Sequence, residues 1–224
     1  MTRTKLNDRH LPNYTHGEEI FNMVTHIVGG GLGVVALTLC VIFAALHHNV
    51  WGVVGSAIYG TTLIVLYTMS SIYHGLHPDL KAKKVMQVMD HCSIFLLIAG
   101  TYTPIALSNL RAYSPALGWV IFGIIWAFAA LGITLNAIDL KKYNIFSMIC
   151  YLAMGWCIVF AAKATYLALG LYGIVFLLAG GVSYTIGALI YMLCKKKRYA
   201  HSIFHIFVVI GSILHFFCIL FYVI

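Results

Sequence analysis

The sequence predicts an all-α polytopic membrane protein with seven transmembrane helices, and three observations carry that reading. Charged residues make up only 9% of the 224-residue chain and hydrophobic residues 62%, with a mean hydropathy of +0.93. An ordinary soluble domain is roughly a quarter charged, so this composition leaves lipid as the solvent for most of the surface. A spanning helix needs about 20 mostly apolar residues. Seven stretches qualify, near 21–46, 51–74, 85–108, 115–137, 144–162, 167–194 and 203–223. Third, the runs show no period-two alternation, which removes the strand alternative.

Each junction carries polar or turn-forming residues: His47-His48-Asn49, His77-Pro78-Asp79, Asn109 with Ser114-Pro115, Asp139-Leu140-Lys141-Lys142, and Lys195-Lys196-Lys197-Arg198. The fifth junction, near 163–166, is marked by Lys163 alone. The chain thus divides into a cytoplasmic tail over residues 1–20 and one seven-helix domain over 21–224. The first apolar run reads as an uncleaved anchor, because the residues before it are polar and the run is long enough to span.

Orientation follows from lysine and arginine in the connections. With the N-terminus in the cytoplasm, that side holds Arg3, Lys5, Arg9, Lys81, Lys83, Lys84, Lys141, Lys142, Lys195, Lys196, Lys197 and Arg198, against only Arg111 and Lys163 outside. The C-terminus is then external. The net charge of +8 is explained by these clusters and not by a nucleic-acid-binding face. All six cysteines lie in or beside apolar runs without a C-x-x-C pair, the pattern of buried small hydrophobes. Glycines inside the spans read as points of close helix packing.

Ionisable groups within spans are costly and mark function. Asp90 is the one acid inside an apolar run; Asp8, Glu18, Glu19, Asp79 and Asp139 fall in tails, connections or helix margins. Among the histidines, His74 ends the second span and His201 and His205 open the last, so both arrive at the cytoplasmic side together with Asp90. His201 and His205 are four apart, hence on one helix face and about 6 Å apart along the axis. Two such imidazoles can grip one metal ion. Three neutral imidazoles leave the fourth position of zinc open, as in catalytic sites, and a nearby carboxylate could take a proton from water there. Ser70, four before His74, lines the same face. His26 shares this depth without a pair and reads as a hydrogen-bonded packing residue. His91 points about 100° away from Asp90. His215 lies about 15 Å beyond His205, too far to share the cluster.

Ser70-x-x-x-His74, Asp90 and His201-x-x-x-His205 resemble the progestin and adipoQ receptor family, in its bacterial branch known as hemolysin III. Glu18-Glu19 with Asn22 and His26, Asp90-His91-Cys92, Gly100-Thr101-Tyr102-Thr103-Pro104 and Ala153-Met154-Gly155-Trp156 are similar too. The resemblance runs from about residue 17 to the end. It implies a seven-helix protein of the bacterial cytoplasmic (inner) membrane with an internal N-terminus. It also implies Zn2+ held by His74, His201 and His205, with Asp90 beside the metal's water and Ser70 close by. Eukaryotic members resemble ceramide-hydrolysing enzymes, and the hemolysin name implies cytolysis. Three functions stay open: a zinc-dependent hydrolase of lipid amides or esters, a sensor with structural zinc, and a pore or transporter. The expected partner is membrane lipid, as substrate or ligand, and not nucleic acid.

Overall fold

The computed structural model describes residues 4–194 and 197–224. Arg3, Lys195 and Lys196, counted above for orientation, lie outside the described residues. The described chain is helical, without strands: α1 His16–Leu46, α2 Val50–Gly75, α3 Lys81–Pro104, α4 Pro115–Asp139, α5 Asn144–Gly155, α6 Ala162–Leu193 and α7 Ala200–Tyr222. Among the described residues, six helical stretches are long and apolar enough to cross a membrane, the fifth being the whole of Asn144–Leu193. Large apolar side chains such as Phe160, 91% exposed, face outward, where only lipid removes them from water.

Local chemistry sets the helix starts. Thr15 and Glu18 form a reciprocal capping box, so α1 begins at His16, five residues before the apolar run. Asn49 caps α2 by accepting the Gly52 N–H at 2.8 Å and donates to Ser108 Oγ at 2.7 Å. Ser114 caps α4, with Pro115 in the first-turn position where its missing N–H is harmless. Beyond Pro104, α3 continues as a π-helical stretch, Ile105–Leu110, and a last turn to Tyr113. Helices α2 and α3 meet closely at Gly100, where a Cβ would collide with Thr62.

Between α5 and α6 the chain does not break at 163–166. A 3-10 turn, Cys157–Ala161, joins α5 to α6, and the non-helical residue is Gly170, at φ 67° and ψ 179°. That conformation favours glycine. The Trp156 indole N–H donates to Thr185 Oγ1 at 3.0 Å, although the two residues are 29 apart. A straight helix would separate them by about 44 Å, so the stretch doubles back near Gly170.

Helix α1 packs on α2, α2 on α3, α3 on α4 and α6 on α7, and α7 closes against α1. This closure brings the first turns of α7 beside the last turn of α2. Polar clasps hold it: Tyr67 donates to Ser212 Oγ at 2.7 Å, and Tyr184 shares the same hydroxyl at 2.7 Å.

Candidate metal centre

His74, His201 and His205 each offer a ring nitrogen, and all three nitrogens lie within 4.8 Å of one another. His201 Nε2 stands 3.3 Å from His74 Nε2 and 3.0 Å from His205 Nε2. His74 and His205 are 2% and 1% exposed. The His74 ring is fixed from behind, because its Nδ1–H donates to Glu19 Oε2 at 2.6 Å. In a neutral ring that leaves the Nε2 lone pair facing the other two imidazoles. The three rings thus form a buried set of nitrogen donors that could hold a metal ion. The i, i+4 spacing on α7 and the last-turn position on α2 produce this meeting, as the sequence pattern anticipates.

Asp90 and Ser70 are not among the three clustered groups, but both line the adjoining cavity together with His201 and His205. The Ser70 hydroxyl is buried without a hydrogen-bond partner. That cavity, of about 150 Å³, continues between apolar side chains such as Leu97, Phe204 and Val208 to His215. His215 is therefore outside the cluster yet on the same cavity, where Nε2–H donates to the Leu177 carbonyl at 3.0 Å. His91 does not turn away from the site region: it lines the cavity, and its Nδ1 lies 3.7 Å from Asp90 Oδ2.

His26 corrects another expectation. Both its ring nitrogens lack hydrogen-bond partners, and its ring instead stacks on His205 with centroids 3.7 Å apart and planes at 13°. Its edge-on neighbour is Tyr67 at 5.0 Å. It is a packing support for a cluster histidine.

The N-terminal residues cover the opposite face. Tyr14 stacks on His201 at 5.0 Å and 12°, and burial pushes its phenol pKa upward. Glu18 accepts from the Tyr199 N–H at 2.7 Å, tying this segment to the start of α7. Thr4 N–H donates to Asp139 Oδ2 at 2.8 Å. Beneath this cover lies a second cavity of about 260 Å³, whose lining includes Tyr14, Glu18, Lys197 and Arg198. His201 and Tyr191 line both cavities, so these two side chains form part of the wall between an apolar chamber and a more polar one.

Sequence reading placed Glu19 at a helix margin and missed its contact with His74. The capping box was the available signal. It starts the helix early enough to put Glu19, Asn22 and His26 on one face at i, i+3 and i+7. Tyr14 carried no such signal.

Comparison with known proteins places the chain in a family. The family model described as Haemolysin-III related matches residues 14–216. The chain is 41% identical over 206 residues to "Hemolysin-3" of Bacillus cereus, covering 92% of each. It is 37% identical over 209 residues to the "Hemolysin-3 homolog" of Bacillus subtilis (strain 168), covering 93% of this chain and 96% of that one. A more distant relative is the human "Monocyte to macrophage differentiation factor", 26% identical and matching 97% of this chain and 88% of its own. The match spans both the α2 and the α7 histidines, and the chain belongs to the Haemolysin-III related family of membrane proteins.

Proposed function

We propose that this protein is a zinc-dependent hydrolase of a lipid amide or ester bond, working near the cytoplasmic face of a bacterial inner membrane. The observation that carries the reading is the histidine cluster at the end of an apolar cavity that also presents Asp90 and Ser70. Nitrogens about 2.0–2.1 Å from a tetrahedral zinc stand about 3.3 Å from each other, close to the 3.3 and 3.0 Å separations here. Zinc, when bound, supplies Lewis-acid polarisation of a carbonyl and eases ionisation of water. In this reading Asp90 accepts the proton of the attacking water as general base and returns it to the leaving group. The Ser70 hydroxyl, free of other bonds, donates to the carbonyl oxygen as charge develops there. The apolar chamber takes the acyl chain and keeps bulk water away, while the polar chamber beyond His201 takes the headgroup.

Topologically, we read the doubled-back Asn144–Leu193 stretch as two spans. That gives seven crossings, with the N-terminus inside by the lysine and arginine bias. A phosphatase reporter fused directly after Gly170 is then active outside the cytoplasmic membrane; activity only in the cytoplasm refutes the count.

The decisive assay is lipid turnover by purified protein in nanodiscs. Metal-loaded protein should release free fatty acid, and chelator-stripped protein should not. One observation favours a second reading, a sensor with structural metal: the cluster joins the end of α2 to the start of α7, as a staple would. Full metal occupancy, a large loss of thermal stability on stripping and no turnover across neutral and charged lipids would select it.

A further inference from the structure

We infer that Glu19 and Lys83 are a positioning pair for the metal centre: Glu19 sets the tautomer and aim of His74, and Lys83 holds Glu19 in place to do so. The inference rests on the metal reading of the histidine cluster and adds two residues from two further helices to it. The Glu19 carboxylate spends one oxygen on each neighbour. Oε2 accepts from His74 Nδ1 at 2.6 Å, and Oε1 meets Lys83 Nζ at 2.8 Å. Lys83 is 2% exposed and also donates to the Leu76 carbonyl at 2.8 Å, two residues past His74. One ammonium group therefore anchors both the carboxylate and the backbone that carries the ligand.

The chemistry makes this more than an ion pair between helices. An imidazole has two nitrogens, and the group bonded to one decides whether the other is available as a ligand. With the Nδ1 proton held by Glu19, only Nε2 can present a lone pair, and it is the Nε2 of His74 that approaches His201. Carboxylate partners of this kind also raise ligand basicity. Lys83 acts in the same direction geometrically: a partly buried carboxylate without a partner carries a desolvation cost and would turn toward other donors. His201 and His205 have no carboxylate in such a position among the described residues, so His74 is the ligand whose aim is set by charge.

The test is Co2+ affinity of the purified full-length protein in detergent, read from the visible absorption of the bound ion. Glu19→Gln should weaken binding about 10- to 100-fold, the usual effect of losing such a partner. Glu19→Asp keeps the charge but shortens the reach, and should lose affinity as well. Lys83→Met should weaken binding, Lys83→Arg should restore it in large part, and the Glu19→Gln/Lys83→Met double variant should bind no worse than Glu19→Gln alone. Full affinity in Glu19→Asp would mean that only charge matters and overturns the positioning role. Independent, multiplying losses in the double variant would overturn the claim that Lys83 acts through Glu19. Unchanged affinity in Glu19→Gln overturns the whole inference, whereas a wild-type protein that binds no Co2+ refutes the metal reading itself. Thermal melting of the metal-free forms separates affinity changes from folding defects.

Discussion

Replacing His205 with alanine should abolish metal binding: wild-type protein purified without chelator carries about one zinc per chain, and the variant carries almost none. Three donors converge here, and His205 Nε2 stands 3.0 Å from His201 Nε2, which in turn stands 3.3 Å from His74 Nε2. Loss of an orienting partner alone costs about 10- to 100-fold in affinity; loss of a ligand should exceed the upper end of that range. The substitution also removes the ring on which His26 stacks, so stability falls with it. Elemental analysis gives the stoichiometry, and circular dichroism at low temperature checks that the helices remain. A folded variant that keeps its zinc would remove His205 from the ligand set. A wild-type protein without metal would refute the hydrolase mechanism and leave the histidines as packing or proton-handling groups.

Asp90→Asn should do the opposite: leave metal content near wild type and slow turnover by about 10²- to 10⁴-fold, the usual share of a general base. The separation follows from placement. Asp90 lines the cavity, yet stands outside the three groups whose ligand atoms cluster. Asparagine preserves shape and hydrogen-bonding capacity but cannot take a proton at neutral pH. Fatty-acid release measured by mass spectrometry, alongside zinc content, distinguishes the cases. Loss of both zinc and activity would make Asp90 a ligand, and unchanged turnover would remove it from the chemistry.

The centre was more legible in the sequence than its surroundings. His201 and His205 announce themselves by a four-residue spacing at the start of a span, and a common depth adds His74; Asp90, expected at that depth, and Ser70, four before His74, line the adjoining cavity instead of joining the cluster. That reasoning works because helices in a bilayer are confined to one axis, which makes depth a usable coordinate. Contacts between neighbouring helices need rotation about that axis as well as depth, and here the reading fell short. The apolar run begins at residue 21 and so puts Glu19 at a margin, whereas the capping box starts the helix at His16. A buried histidine ordinarily makes a hydrogen bond, which is what the sequence suggests for His26; its stacking on His205 depends on α7 closing against α1, which one sequence does not show. Charge points to Lys163 for the turn between the fifth and sixth apolar runs, but the backbone turns where glycine permits a positive φ, at Gly170.

The separation of 127 positions between His74 and His201 imposes an order on biosynthesis. Glu19, His74 and Lys83 are all present once the third helix has left the ribosome, and they can assemble an oriented single ligand while the rest of the chain is still being made. One imidazole does not retain a metal ion in competition with the cell's chelators. The remaining two ligands arrive together, on adjacent turns of the last helix, so capture of the ion waits for insertion of that helix. On the proposed metal reading, a nascent or truncated chain ending before residue 200 lacks two of the three clustered donors, and occupancy would follow only completed insertion of the last helix.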